Sequence, residues 1–278
     1  MRMQNTKLES FFLTSGEKKI FVSCYRSDKQ TDISQAVIIL PPFAEEMNKS
    51  RRMLSLQARQ LAEAGFHVLM PDFYGTGDSE GHFRDALLND WLNNVLDCLV
   101  WIKSRDVKQV HLIALRFACL LVPAVQQKAA FAFDKVVMWQ PMVSGELLMA
   151  QFLRLRIASG LLGSGEKKET SKGLRELLTK ENLIEVAGYE LSSGLVSQLD
   201  SLLLRDLSAR DLNELLWLDV VASEDKTQPL VTRKIIEQWQ AVNPNIIVDK
   251  VIGVPFWASV EIEENAALLK KTTEFLIK

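Results

Sequence analysis

Histidine, cysteine and net charge are all in short supply in this chain. Its three histidines, His67, His82 and His111, leave few groups suited to proton transfer near neutral pH. Its three cysteines, Cys24, Cys98 and Cys119, stand in apolar or periodic stretches with no C-x-x-C pair. That excludes a legible disulfide framework or cysteine metal site, so no metal is expected and the thiols read as reduced core residues of a cytoplasmic protein. A formal net charge of -2 and a pI near 6.0 offer no basic surplus to neutralise phosphates, which argues against nucleic acid as a partner. No apolar run reaches the roughly 18 residues of a membrane span, and the opening MRMQNTKLES has no apolar core of a signal peptide. Neither an integral membrane segment nor secretion is expected.

What is present is apolar patterning. With 278 residues, 47% of them hydrophobic, the chain can bury one large core, and one domain with an insertion is the expectation. Residues 8–13 and 19–25 read as a hairpin around Gly16. Residues 36–40 (AVIIL) form a continuous β-branched run that Pro41-Pro42 stops, as in a strand covered on both faces. A helix over 48–64, a strand over 67–71 and a helix over 89–104 follow, then strands over 135–139, 215–221 and 246–252, with helices over 229–242 and 263–277. This alternation predicts a mostly parallel α/β sheet flanked by helices. From 145 to 213 helical spacing replaces the strand rhythm, which predicts an inserted helical cap between core segments 1–144 and 214–278. Residues 163–173 (GSGEKKETSKG), which contain a charge run over 166–172, lack apolar anchors and predict a mobile solvated loop. The apolar stretch at 147–162 suits acyl chains or a partner groove, and reads first as an amphipathic lid packing on the sheet.

The centre of the pattern is residues 107–125, a strand that turns sharply into helical spacing. Five residues at the turn, Ala114-Leu115-Arg116-Phe117-Ala118, have the small flanks of G-x-S-x-G, the strained turn that lifts a serine above the sheet. Here the apex is arginine, permanently protonated and not a nucleophile.

Five strings carry a more specific resemblance: LPPFAEEMNKSRRM at 40–53, MPDFYGTGDSEG at 70–81, LRFACLL at 115–121, VAGYELS at 186–192 and GVPFWASVEIEE at 253–264. With the element order, they resemble the α/β-hydrolase superfamily and, within it, the type-two exosortase A system-associated hydrolases found with PEP-CTERM sorting and exopolysaccharide genes. The resemblance implies an α/β-hydrolase fold, an arginine at the elbow as a family feature, no cofactor, and a role beside an exosortase or exopolysaccharide system. It implies an ester or thioester hydrolase with a degenerate triad; the alternative is a non-catalytic accessory protein that binds an anion, a small acyl or saccharide ligand, or a partner.

Residue by residue, the triad is incomplete. Arg116 stands for the nucleophile, and Cys119, one turn on, reads as packed core. The segment 253–257 after the last strand has no histidine; His67 and His111 fall in strands and His82 beside a loop. Glu224 and Asp225 follow the strand that carries the acid in this fold, and read first as carboxylates at a helix start and second as that acid. The loop DFYGTGDSEG lies at the carboxyl edge of the sheet, where ligands of such sheets bind. A cleft is therefore expected from Phe43, Glu45, Glu46, Tyr74, Asp78, Arg116, Phe117 and Trp257. A buried guanidinium demands a carboxylate, and Glu45 is the first candidate, with Glu46 or Asp78 as alternatives.

Overall fold

The computed structural model describes residues 6–27, 34–129, 133–160 and 169–278. The chain runs through a hairpin of β1 (Thr6–Ser15) and β2 (Lys18–Ser27), then β3 (Gln35–Leu40), α1 (Glu45–Glu63), β4 (His67–Pro71), α2 (Leu88–Lys103) and β5 (Gln109–Leu115). A 3-10 turn (Arg116–Leu120), α3 (Val122–Lys128) and β6 (Lys135–Trp139) follow. Next come α4 (Gly145–Gly160), α5 (Ser171–Glu181), β7 (Leu183–Val186), β8 (Tyr189–Ser192) and α6 (Ser193–Asp200). The chain closes with β9 (Glu214–Val221), α7 (Leu230–Gln240), β10 (Ile246–Ile252) and α8 (Ala266–Ile277).

Eight strands form one sheet in the order β1-β2-β4-β3-β5-β6-β9-β10. From β4 to β10 every pairing is parallel, and the β1–β2 hairpin adds two antiparallel strands to one edge. The parallel strands are apolar on both faces because both are covered. Ile38, Leu40, Leu112 and Ala114 pack with Trp91 and Val95 of α2 and Val125 of α3. Their neighbours Val37, Ile39, Ile113 and Leu115 face Met53 and Ala58 of α1 and Leu268 of α8. Chain order reverses between β3 and β5, since β4 pairs on one side of β3 and β5 on the other. That leaves a crevice outside their carboxyl ends, where the turns at Phe43 and Arg116 meet.

Three sequence expectations need correction. The elbow does not open into one helix: a 3-10 turn comes first and α3 starts at Val122, because Pro123 has no N–H to give and is tolerated only in a first helical turn. The chain between β6 and β9 is not wholly helical. Residues 183–192 form a hairpin, β7 paired with β8, around Ala187 and Gly188, both at positive φ (51° and 82°). Ile184 and Val186, then Tyr189 and Leu191, alternate on either side of that turn, a period of two that short flanking helices conceal. In the polar stretch at 163–173, residues 163–168 lie outside the described residues, while Thr170 caps α5 by accepting from Gly173 N, so Ser171, Lys172 and Gly173 are helical.

Candidate functional site at the elbow

Two strand ends build the site. After β3, Pro41-Pro42 ends the ladder, Phe43 turns into the core and Ala44 takes φ 48° before α1 begins with Glu45 and Glu46. After β5, Arg116 takes φ 55°. A side chain in this left-handed region costs roughly 1–2 kcal/mol, so the turn after β5 is strained where it presents the guanidinium.

Arg116 is 9% exposed and tied on two sides. Its Nε donates to Glu46 Oε1 at 3.2 Å and Oε2 at 3.4 Å, and its Nη2 donates to Glu46 Oε1 at 2.9 Å. Nη2 also donates to Gln151 Oε1 of α4 at 2.8 Å. The Trp257 ring centroid lies 5.2 Å from Cζ, within cation–π range. Nη1 makes no hydrogen bond among the described residues. The partner is thus Glu46 and not Glu45. Both begin α1, but Glu45 turns outward, where Asn48 Nδ2 donates to it at 3.5 Å and Lys49 stands 4.0 Å away. Enclosure raises the Glu46 carboxyl above its ordinary range; the adjacent guanidinium pulls it down by less.

Above the pair lies a cavity of about 250 Å3 walled by Phe43, Leu148, Phe152, Leu155 and Trp257, with Glu45, Glu46, Lys49, Arg116 and Gln151 supplying its polar edge. Of the expected cleft residues, Phe43, Glu45, Glu46, Arg116 and Trp257 meet here. Three do not. Phe117 is 1% exposed and packs edge-on against Phe43 and Trp91 as core. Tyr74 is held within its loop: its N–H donates to Asn94 Oδ1 at 2.9 Å, its carbonyl accepts from Trp91 Nε1 at 3.0 Å, and Lys18 Nζ sits 3.9 Å from its ring. Asp78 is a turn residue whose N–H donates to Asp72 Oδ2 at 3.0 Å, while Asp72 Oδ1 accepts from Arg51 at 2.9 Å. The Gly-rich loop is therefore braced around Asp72 and stays out of the cavity.

The remaining triad candidates are also elsewhere. Glu224 is largely exposed and paired with Lys250 at 3.3 Å. Asp225 lies in solvent, its carboxyl lowered by the Ser223 hydroxyl. Neither lines the cavity, and among the described residues no histidine stands in it to draw a carboxylate inward. Cys119 is fully buried, its Sγ donating to Ala114 O at 3.2 Å, and burial pushes its thiol far up, so it supplies no thiolate. His67 sits 2.8 Å from Cys24 Sγ and His111 is 1% exposed in β5; burial depresses both, His111 to about 4. His82 is exposed and precedes a 3-10 turn at Phe83–Asp85. Among the described residues no group of three or more His, Cys, Asp or Glu forms a metal-ligand cluster, and no helix is long and apolar enough to cross a membrane.

Sequence reading missed Gln151, Lys49, Leu148, Phe152 and Leu155. Gln151 had a signal, since it is the one uncharged polar side chain in GELLMAQFLRL, an otherwise apolar or charged segment.

A mostly parallel sheet, helices on both faces and a strained strand-to-helix elbow at the crevice define an α/β-hydrolase fold. Solved structures agree. A Butyrivibrio proteoclasticus protein with ferulic acid bound superposes at TM-score 0.66 with 16% identity over 96% of this chain and 98% of its own. An esterase from Pyrococcus furiosus does so at 0.65 with 12% identity, covering 99% of this chain and 91% of that one. The thioesterase domain of the curacin biosynthetic pathway gives 0.56 at 12% identity, over 98% of this chain and all of its own (100%). No family model and no curated protein sequence matches the chain. At these identities the likeness is one of fold.

Proposed function

We propose that this chain is a binding protein on an α/β-hydrolase scaffold, and that the cavity under α4 holds the apolar body of an uncharged ligand. One observation carries the reading: the elbow side chain is a guanidinium already neutralised by Glu46. A serine-type reaction needs a nucleophile and a base within hydrogen-bond reach, and among the described residues no serine, cysteine or histidine lines this cavity. Recognition of an anion is disfavoured too, because Glu45 and Glu46 balance Lys49 and Arg116 at its edge, and an added negative charge would have no unshared cation.

On this reading residues 145–213 are the cap over the ligand. The resemblance of the five quoted strings supports a place beside an exosortase or exopolysaccharide system, and the three unpaired cysteines support a cytoplasmic one. Ester or thioester hydrolysis, suggested by the esterase and thioesterase neighbours, is the competing reading. A panel of p-nitrophenyl esters and acyl thioesters, with fluorophosphonate labelling, separates the two. The expected result is neither turnover nor label. Turnover that disappears in Glu46→Gln would refute the proposal and put a carboxylate-based reaction in its place.

A further inference from the structure

Arg116 and Gln151 border more than one space. On their far side is a second cavity of about 200 Å3, closed by the ends of β6 and β9 and the start of α7. Its chemistry differs from the first. Asp219, 6% exposed, presents a carboxyl held by Trp217 Nε1, which donates to Oδ1 at 2.8 Å, and by Gln228 Nε2, which donates to Oδ2. Gln140 stands at φ 45° and accepts from Val220 N at 2.7 Å through Oε1, and its Nε2 makes no hydrogen bond among the described residues. The hydroxyl of Thr232 completes a wall that both donates and accepts.

Among the described residues no cation but the already paired Arg116 faces this second space, and any charge on Asp219 repels an anion. Alcohol groups are what such a wall fits, because each both donates and accepts a hydrogen bond. We infer that the two cavities are halves of one site divided by the Arg116–Gln151 contact, and that its ligand is an uncharged amphiphile, its chain in the first cavity and a hydroxyl-bearing head against Asp219, Gln140 and Thr232. This rests on the reading that the first cavity holds an apolar body. A ligand spanning both halves displaces Gln151 from Arg116, and the freed Nη2 and the unpartnered Nη1 then face the join between chain and head.

The test is calorimetric titration of the full chain with 1-octanol below its solubility limit and with n-octyl β-glucoside and octanoate below their micellar concentrations. Wild type should bind the glucoside at least tenfold more tightly than octanol, and octanoate most weakly. Two rim positions allow each half to be blocked without touching the core: Leu155, 43% exposed, at the first cavity and Leu147, 41% exposed, at the second. Leu155→Trp should abolish binding of both neutral probes. Leu147→Trp should bring the glucoside down to the octanol level and leave octanol unchanged. If the glucoside keeps its advantage in Leu147→Trp, or octanoate binds tightest, the two-part site is wrong while the first cavity still binds apolar chains. If no probe binds, or Leu155→Trp leaves octanol binding intact, the apolar-cavity reading fails as well.

Discussion

Arg116→Ala tests what the guanidinium does for the fold. Removing one partner of a fully buried ion pair costs about 3–5 kcal/mol. Glu46 keeps 22% of its side-chain surface open to the cavity and Arg116 10%, so solvent relieves part of that and about 2–3 kcal/mol is expected. For a domain of this size each kcal/mol moves Tm by roughly 2 °C, so the melt should fall by about 4–6 °C. The sign with pH is fixed. A carboxyl whose folded pKa is raised favours the folded state below its unfolded pKa, and loses that advantage as pH rises through the folded value. With its guanidinium gone, Glu46 is raised further, so the deficit of Arg116→Ala should be small near pH 4.5 and grow toward neutrality. Glu46→Gln combined with Arg116→Ala should lose at least about 1 kcal/mol less than the two single changes added together. Arg116→Gly should recover roughly 1 kcal/mol relative to alanine, because only glycine is unstrained at φ 55°. Thermal and urea unfolding of these variants from pH 4.5 to 8 decides the matter. A deficit that is flat with pH, or singles that simply add, would refute the ion pair as the reason an arginine persists at the elbow.

Further outcomes follow from other positions. His111 is held neutral, its pKa down from 6.5 to about 4, so the folded chain refuses a proton that the unfolded chain accepts, and stability should be lost as pH falls from 6.5 to 4 by about 3 kcal/mol. Both of its ring nitrogens are unpartnered among the described residues, so His111→Leu should leave stability at pH 7 within about 1 kcal/mol and flatten the acid limb; an unchanged acid limb would defeat this account. Gly77→Ala places a Cβ 2.0 Å from Asp72 Oδ2 at φ 54°, and should loosen the Asp72 brace and lower Tm, as read by calorimetry, with no change in probe binding at the elbow cavity. Glu224→Ala and Asp225→Ala should leave both Tm and probe binding where they were, since both side chains stand in solvent; loss of binding in either would return the acid position to the site.

Much of the fold was legible because burial on two faces leaves a local trace. AVIIL and HVLMP read as central strands since no position in them meets water, and α1 showed itself by Met53, Leu54, Ala58 and Leu61 on one face. The β7–β8 hairpin was hidden because two four-residue strands leave too few alternations to stand out between helices. At the elbow, the sequence placed an arginine where a buried guanidinium demands a carboxylate, and the strings around Phe43 and Trp257 hold residues that line the cavity beside it.

Which carboxylate answers, and which residues share a wall, belongs to three-dimensional arrangement. Glu45 and Glu46 are adjacent and chemically alike, yet neighbouring positions on a helix point about 100° apart. Only the docking of α1 on the sheet turns Glu46 toward Arg116. Tyr74 and Asp78 sit at the expected edge of the sheet but are turned into their own loop by Asp72 and Asn94, a set of hydrogen bonds no spacing rule contains. Asp219 and Gln151 lie 68 positions apart in sequence and meet around one cavity because β9 returns to the sheet beside β6 while α4 crosses above it. Composition and periodicity determined that this chain folds as a covered, mostly parallel sheet with an arginine at the turn after its central strand. The long-range packing of helices on that sheet decided the shape and polarity of what the elbow faces, because those are set by side chains that only folding brings together.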